Sequence, residues 1–327
     1  MHILLIVNSY PSEWHPVRGI FYAEQVRAIH EAGHQVGVIV EPSIQATIDY
    51  LVYHFYPPPL MRITYEQQGI PVYQCFWAET PKASVDLRIK AKLWLTRIAF
   101  QRYCKQFGRP DIIHAHNTIY SGYISTMLSE EHMIPTVITE HSSAFIRHLI
   151  KPGQEPFIKQ ALDKTHHRIA VSNSLRTALQ KYTHQFISVQ PNMVDTDFFM
   201  FREPPDTDRF VFCIIGGLNE NKRHKLVIQA FAQAFGGDSM LLHIVGDGVL
   251  RESLKAYVNT LPIATNVTFL GTLSREKVRS VIHQSHCVVS ASQVETFGIS
   301  LIEAMSCGRP VIATRSGGPE MFVNATN

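Results

Sequence analysis

Residues 287 to 320, CVVSASQVETFGISLIEAMSCGRPVIATRSGGPE, constrain the fold more than any other stretch of the chain. The apolar run Cys287, Val288, Val289 reads as a buried strand. Phe297, Ile299, Leu301, Ile302, Ala304 and Met305 recur as the buried face of a helix that Cys307 and Gly308 end, and Pro310 to Ala313 start a second strand. Gly298 lies where strand gives way to helix, so backbone N–H groups that no helical carbonyl can satisfy point outward as an anion site. Glu295 and Glu303 bracket the helix start with seven residues between them. Glu295 precedes the turn and can face a ligand. Glu303, two helical turns later, can accept hydrogen bonds from a ribose diol while the free N–H groups hold phosphate. The spacing alone leaves two readings open: a site for a nucleotide diphosphate carrying a sugar, or an ordinary helix with one solvated Glu.

The rest of the chain fits the same alternation. Ile3 to Val7 form a strand, and Ile20, Phe21, Ala23, Val26, Ile29 and His30 follow helical spacing until Gly33 caps the helix. Gln35 to Val40 return as a strand, which makes a βαβ unit of a parallel, doubly wound sheet. Ligands gather at the carboxyl ends of such strands, so the loop before Gly19 should border a cleft. His30-Glu31-Ala32-Gly33-His34 matches the H-E-x-x-H zinc signature literally. A zinc site needs both His on one face of a continuing helix, whereas Gly33 ends this one and His34 opens a strand, so no metal is assigned. His114 and His116 fall on one side of a strand without a nearby carboxylate or thiol at ligand spacing, and read as strand-end residues. The strand 135 to 139 ends at Glu140-His141-Ser142-Ser143, which puts His141 at a carboxyl end.

Residues 41 to 81 carry Pro57, Pro58, Pro59 and several aromatics, and are expected to form an irregular insertion suited to acceptor contact. Residues 82 to 109 are basic, with Lys82, Arg88, Lys90, Lys92, Arg97, Arg102, Lys105 and Arg109 against Asp86. They also hold an apolar stripe that includes Leu87, Leu93, Trp94 and Phe100. Such a helix either lies on an anionic membrane surface or packs with a solvated basic face. Asp195 to Asp208 read as a hinge-like linker. The division expected is 1–195, a linker at 196–208, and 209–327. In the second part, the strand Phe210 to Ile215 ends at Gly216 and Gly217, and no G-x-G-x-x-G follows, so a nicotinamide dehydrogenase is unsupported. Lys222, ahead of a helix and beside glycine backbone, suits a diphosphate.

With 327 residues, about two domains are expected, and 45% hydrophobic with 17% charged residues is a globular composition. A formal charge of +3 is too slight to imply a nucleic-acid partner, and no apolar run is long enough to span a bilayer. Five cysteines without paired spacing read as reduced thiols, and no secretory leader precedes the first strand, so a cytoplasmic location is expected. Without export, the acceptor motifs at Asn266 and Asn324 carry no meaning.

The segment ETFGISLIEAMSCGRPVIATRSGGPE resembles the donor site of retaining glycosyltransferases of family 4, and GIFYAEQVRAIHEAGHQV, DIIHAHN, AVSNSLRTAL, QPNMVDTDFF, GGLNENK and HIVGDG fall in that family's order. The resemblance implies an α/β chain of two Rossmann-like doubly wound domains facing across a cleft, the GT-B architecture. The family usually continues past the equivalent of Asn327, so the second domain is expected to be incomplete and the activity of the chain open. It implies a hexosyl transfer from a nucleotide-diphosphate sugar to a hydroxyl of a glycan or lipid-linked acceptor, in cell-surface polysaccharide or glycan synthesis. No cofactor or metal is expected, and the location extends to the inner face of the plasma membrane. It assigns His141 to the far edge of the transferred sugar, Glu295 to its hydroxyls and Glu303 to the ribose. Gly19, Gly216, Gly217, Phe297, Gly298 and Ile299 line the donor, with the backbone of Leu270 at the base. The family has Arg where this chain has Gly217 and Gly where it has Met193. Either Arg223 or Lys225 then supplies the second charge, or Lys222 and helix N–H groups act alone. An epimerase or hydrolase on this scaffold, or a non-catalytic binding fragment, are the competing readings.

Overall fold

The computed structural model describes residues 1–327 except 56–58, 60, 66–68, 78–82, 237–238 and 325–327. Pro57, Pro58, Lys82 and Thr326 therefore lie outside the described residues. The chain forms two compact units, Met1–Val171 with Leu175–Gln190, and Ser172–Ser174 with Pro191–Asn327. Each is an α/β unit built on its own sheet.

In the first unit the elements run β1 (His2–Val7), α1 (Ile20–Glu31), β2 (Gln35–Ser43), α2 (Ile44–His54), β3 (Met61–Tyr65), β4 (Pro71–Phe76) and α3 (Val85–Phe107). They continue through β5 (Ile112–His116), α4 (Tyr123–His132), β6 (Thr136–Glu140), α5 (Glu155–Lys164), β7 (His167–Ala170), α6 (Asn173–Leu179) and β8 (Ser188–Val189). The strand order is β3-β4-β2-β1-β5-β6-β7-β8, and every pair is parallel except β3 with β4. Alternation along β1 splits the core between two faces. Leu4 and Ile6 pack with Leu93, Phe100 and Tyr103 of α3 and Ile124 and Leu128 of α4, whereas Leu5 and Val7 pack with Tyr22, Ala23 and Val26 of α1. Both faces are covered, which is the condition for a parallel sheet.

The second unit runs β9 (Val211–Ile215), α7 (His224–Phe235), β10 (Leu241–Val245), α8 (Arg251–Val258), β11 (Val267–Gly271), α9 (Arg275–His283), β12 (Cys287–Ser290), α10 (Ile299–Ser306) and β13 (Val311–Ala313). Its sheet is all parallel, in the order β11-β10-β9-β12-β13. In both sheets the chain builds outward from one strand and then returns to that strand's other side, at β1/β5 and at β9/β12. The loops after those strands diverge there and leave a crevice.

Three expectations change. Residues 41 to 81 are not an irregular insertion: they supply α2 and the strands β3 and β4, and all six residues of β4 are buried. Helix α3 does not present a purely solvated basic face. Lys92 is buried, its ammonium 3.3 Å from Glu41 and bonded to the carbonyl of Pro42. Lys90 pairs with Asp86 at 2.8 Å, Arg97 pairs with Glu131, and Arg109 donates to the carbonyls of His132 and Met133. Leu87 and Trp94, placed in the apolar stripe, are exposed. Within 196–208, Phe199 is fully buried in the second unit's core, and Arg309 donates to the carbonyls of Arg202 and Glu203.

All five cysteines are free, and four of them are buried. Among the described residues no helix is long and apolar enough to cross a membrane. Helix α1 ends at Glu31, with Gly33 at φ 85°, so His30 and His34 do not share a continuing helix.

Gly37 on β2 faces the Tyr103 ring so closely that a Cβ there would overlap it. Tyr103 is fully buried, and its hydroxyl is 2.6 Å from Nε2 of His2. Gly37→Ala is therefore expected to destabilise the first unit by about 1–3 kcal/mol, the range for overpacking a filled core. Equilibrium denaturation by urea, followed by circular dichroism, would check this; an unchanged midpoint would contradict the packing described.

Candidate active site

In the second unit the crevice lies between the loops after β9 and β12. Asn221 stitches the two loops together: its carbonyl accepts from Gln293 N at 2.7 Å and its side-chain amide donates to the carbonyl of Val294 at 2.9 Å. That brings Lys222 Nζ to 2.5 Å from Oε2 of Glu295, which also accepts from Ser292 Oγ at 3.3 Å. The Lys222 methylenes pass 3.5 Å from where a Cβ of Gly216 would stand, so the stem runs alongside the Gly216 backbone. Glu295 is fixed through its backbone too, its N–H donating to Ser316 O at 2.9 Å and its carbonyl accepting from Gly318 N at 2.8 Å. Two residues expected at the site from opposite loops are thus an ion pair.

Gly298 caps α10 at φ 101°, ψ 55°, a conformation that costs other residues dearly. The first N–H groups of α10, including that of Ile299, have no carbonyl within the helix to bond. Phe297 is buried, its ring centroid 5.3 Å from that of Phe322, so only its backbone can meet a ligand. Leu270, next to last in β11, likewise packs into the core with its side chain. Glu303 is not a solvated helix residue. It is buried, with Oε1 2.8 Å from Nη1 of Arg275, and burial pushes its carboxyl up while Arg275 opposes that. The Arg275 guanidinium in turn lies 4.6 Å from the centroid of Phe199.

The cations near Gly217 sort themselves. Lys225 lies 4.7 Å over the Tyr257 ring, and Arg251 pairs with Asp247. Arg223, in the left-handed conformation at φ 50°, ψ 40°, is exposed, and no hydrogen bond or ion pair engages its side chain among the described residues.

In the first unit the crevice is a cavity of about 510 Å³ whose lining includes Asn8 and Ser9 after β1, Asn117 and Tyr120 after β5, Glu140 at the end of β6 and His141 just after it. Gly19 caps α1 at φ 72°, and a Cβ there would stand 2.7 Å from the carbonyl oxygen of Ser9, so the chain needs glycine at this corner. Glu140 is buried and holds the loop by accepting from the N–H groups of Thr118 at 2.6 Å, His141 at 2.9 Å and Ser142 at 2.6 Å. Asn117 at φ 71°, ψ 135° and Tyr120 at φ 64°, ψ −80° are strained backbone in the cavity wall, a conformation that costs about 1–3 kcal/mol each.

His116 and His141 form a pair that sequence reading did not connect. Nδ1 of His116 lies 2.9 Å from Nε2 of His141, so one ring donates and the other accepts. The outer nitrogens, Nε2 of His116 and Nδ1 of His141, are buried without a partner among the described residues. The proton position on one ring thus fixes whether His141 offers an N–H or a lone pair. Strand alternation put His114 and His116 on one side, but only the fold brings His141 to them. Glu41, near the carboxyl end of β2, also lines this cavity, with Ser121 Oγ donating to its Oε2 at 2.7 Å. No sequence signal marked Glu41, since a buried acid within a strand looks like an edge residue.

Lys222→Met is expected to weaken nucleoside-diphosphate binding about tenfold or more, with Glu295→Gln affecting nucleoside diphosphate far less than a nucleotide sugar; calorimetric titration would show it, and equal losses for both ligands in both variants would contradict the division of roles. A second expectation concerns acid. Burial lowers His114 to about 4, His141 to about 3, and His116 well below its ordinary 6.5. The fold therefore holds neutral rings, and the unfolded chain binds more protons below pH 6.5. Their contribution is complete above pH 6.5 and is lost as pH falls towards about 4 for His114 and about 3 for His141. Glu41 and Glu140, raised by burial, act with the opposite sign. Melting temperature measured from pH 7 to about 4 should fall more steeply for the native chain than for His114→Gln.

Two family models match the chain: Glycosyltransferase Family 4 over residues 19–198 and Glycosyl transferases group 1 over residues 195–327. Among curated relatives, TuaC of Bacillus subtilis, named as a putative teichuronic acid biosynthesis glycosyltransferase, is 27% identical over 337 residues, covering 97% of this chain and 82% of that protein. The phosphatidylinositol N-acetylglucosaminyltransferase GPI3 subunit of Saccharomyces cerevisiae is 29% identical over 226 residues, covering 65% of this chain and 50% of that one. The chain thus spans half the length of this yeast relative. Among solved structures, sucrose-phosphate synthase from Thermosynechococcus elongatus superposes with a TM-score of 0.75 at 18% identity, covering 99% of this chain and 84% of that one. Anabaena HepE in complex with UDP and glucose gives 0.71 at 19% identity, covering 99% and 83%. The fold is GT-B, and the chain belongs to glycosyltransferase family 4.

Proposed function

We propose that the chain moves a hexosyl group from a nucleotide-diphosphate sugar to an acceptor hydroxyl, with retention at the anomeric carbon. The observation that carries this reading is the Lys222–Glu295 pair at 2.5 Å, set at the switch point of the second sheet beside the free N–H groups of α10. A cation and amide donors suit a diphosphate; a carboxylate beside them suits sugar hydroxyls. HepE, of the same fold, is a structure with UDP and glucose, and the relatives are named for teichuronic acid biosynthesis and for N-acetylglucosaminyl transfer to phosphatidylinositol, which supports a nucleotide sugar and a glycan or lipid-linked acceptor.

Breaking the anomeric C–O bond leaves an oxocarbenium-like sugar and sends the electron pair to the diphosphate. Stabilising that charge is the main lever, and Lys222, the N–H groups near Gly298 and Ile299, and Arg223 supply it. In this reading Arg223 takes the place of the family's arginine at Gly217. Glu303, held by Arg275, reads the ribose; Leu270 borders the base; His141 meets the far edge of the sugar. The reaction uses no metal. The acceptor is held by the first unit, and the exposed Leu87 and Trp94 beside Lys90 on α3 touch an anionic membrane at its cytoplasmic face.

Labelled UDP-, GDP- and ADP-sugars incubated with membrane lipid extract and excess chelator would test this. Label entering lipid or glycan is the expected outcome, and Lys222→Met should reduce it by about a hundredfold, the scale of losing one charge-stabilising group. Label released only to water indicates a hydrolase, and no turnover of any donor indicates a binding protein; either outcome overturns the transferase. Trp94→Ser should lower co-sedimentation with anionic vesicles, and unchanged sedimentation would remove the membrane contact.

A further inference from the structure

The outer edge of the first unit's sheet carries a second cavity, of about 320 Å³, that none of the roles above uses. Its floor is one face of the β3/β4 pair. Val7 pairs with Val40, Val40 with Gln74, and Gln74 with Arg62, so Gln74 and Arg62 lie level with the carboxyl end of β1. Its roof is the loop Tyr10 to Pro16, part of the same β1–α1 connection that supplies Asn8 and Ser9 to the larger cavity. The two cavities therefore flank one loop.

The lining is a mixture with a specific use. Trp14 is braced edge-on by Tyr50, with ring centroids 5.0 Å apart, and by His54 at 5.7 Å. Tyr10 and Tyr65 add rings, and Gln74, largely buried, adds a carboxamide. A flat, braced ring beside planar polar groups suits a sugar, whose C–H face stacks while its hydroxyls bond. The guanidinium of Arg62 lies 5.6 Å from the Trp14 centroid and is 2.7 Å from a carboxylate oxygen of Glu13. Glu13 is an exposed loop side chain, so its carboxylate holds Arg62 weakly and can be exchanged for another. Arg62 keeps a planar fork matched to a carboxylate in either state.

We propose that this cavity is a subsite for an acidic saccharide, the distal part of the acceptor, with the pyranose ring on Trp14 and a uronate carboxylate replacing Glu13 on Arg62. This rests on the proposed transferase only in naming the ligand an acceptor.

The test uses the full chain titrated calorimetrically with trigalacturonate and with its carboxyl-reduced, neutral counterpart. Binding of the acidic form about tenfold tighter than the neutral one is expected, the scale of one charge-assisted bidentate contact. Arg62→Met should remove that preference, Glu13→Gln should tighten trigalacturonate binding several-fold by freeing Arg62, and Trp14→Phe should weaken both ligands. Melting curves of the variants control for folding, and Arg62→Met keeps an unbranched side chain without the charge. Equal affinity for the two ligands, no binding of either, or an unchanged preference in Arg62→Met overturns the subsite. Loss of transfer with every nucleotide sugar would overturn the proposed reaction while leaving a positive titration intact. A chain that transfers sugar but does not bind trigalacturonate would overturn the subsite alone.

Discussion

Both main crevices of this chain depend on where a parallel sheet reverses its winding. At β1/β5 and at β9/β12 neighbouring strands send their loops to opposite faces, and the backbone that leaves the sheet cannot close over the gap. Each crevice is bordered by polar groups that secondary structure cannot satisfy. In the second unit these are the first N–H groups of α10, and in the first unit they are bound by the carboxylate of Glu140. The same topological event thus leaves helix N–H groups without intrahelical partners in one unit and, in the other, a loop organised by its own buried acid.

The two crevices differ in electrostatic character. Around Lys222, Arg223 and Glu295 charges are partly exposed, and a ligand can replace one partner by another at modest cost. Around His114, His116 and His141 burial keeps the rings neutral, so they work through hydrogen-bond direction and not through charge. Among the deeply buried ionisable residues, Glu41 with Lys92 and Glu303 with Arg275 have opposite partners, whereas Glu140 and Arg309 are held by backbone N–H and carbonyl groups.

The sequence made the central strands legible because they are short, continuous apolar runs bounded by glycine and polar turns, as at Ile3–Val7 and Cys287–Val289. The loop between β12 and α10 was legible for the same reason, with Gly298 marking the start of the helix. What escaped was structure whose pattern is neither alternating nor helical. β4, PVYQCF, is buried throughout and carries Pro and Gln, so its composition argues against a strand that only its neighbours β2 and β3 explain. Lys92 and Arg275 were equally hidden: a cation on an amphipathic helix looks solvated until its buried carboxylate arrives from fifty-one residues away in one case and twenty-eight in the other. Long-range pairing of this kind has no local signal.

The ion pairs at the donor side also bear on how a ligand would be received. Arg275 aligns Glu303 while an aromatic face, Phe199, backs the guanidinium, so the protein alone fixes the carboxylate's position. Lys222 is treated differently. Its ammonium leans on Glu295, from a stem that passes over Gly216 and from a loop clasped by Asn221. A lysine left alone there would be disordered and hydrated, and ordering it would cost binding energy. Paired, it is already near the helix N–H groups, and a diphosphate has only to draw one flexible ammonium across from a carboxylate. In the proposed reading that exchange would free Glu295 for sugar hydroxyls as the phosphates arrive, and so would couple recognition of the two ends of one ligand through the Lys222 ammonium.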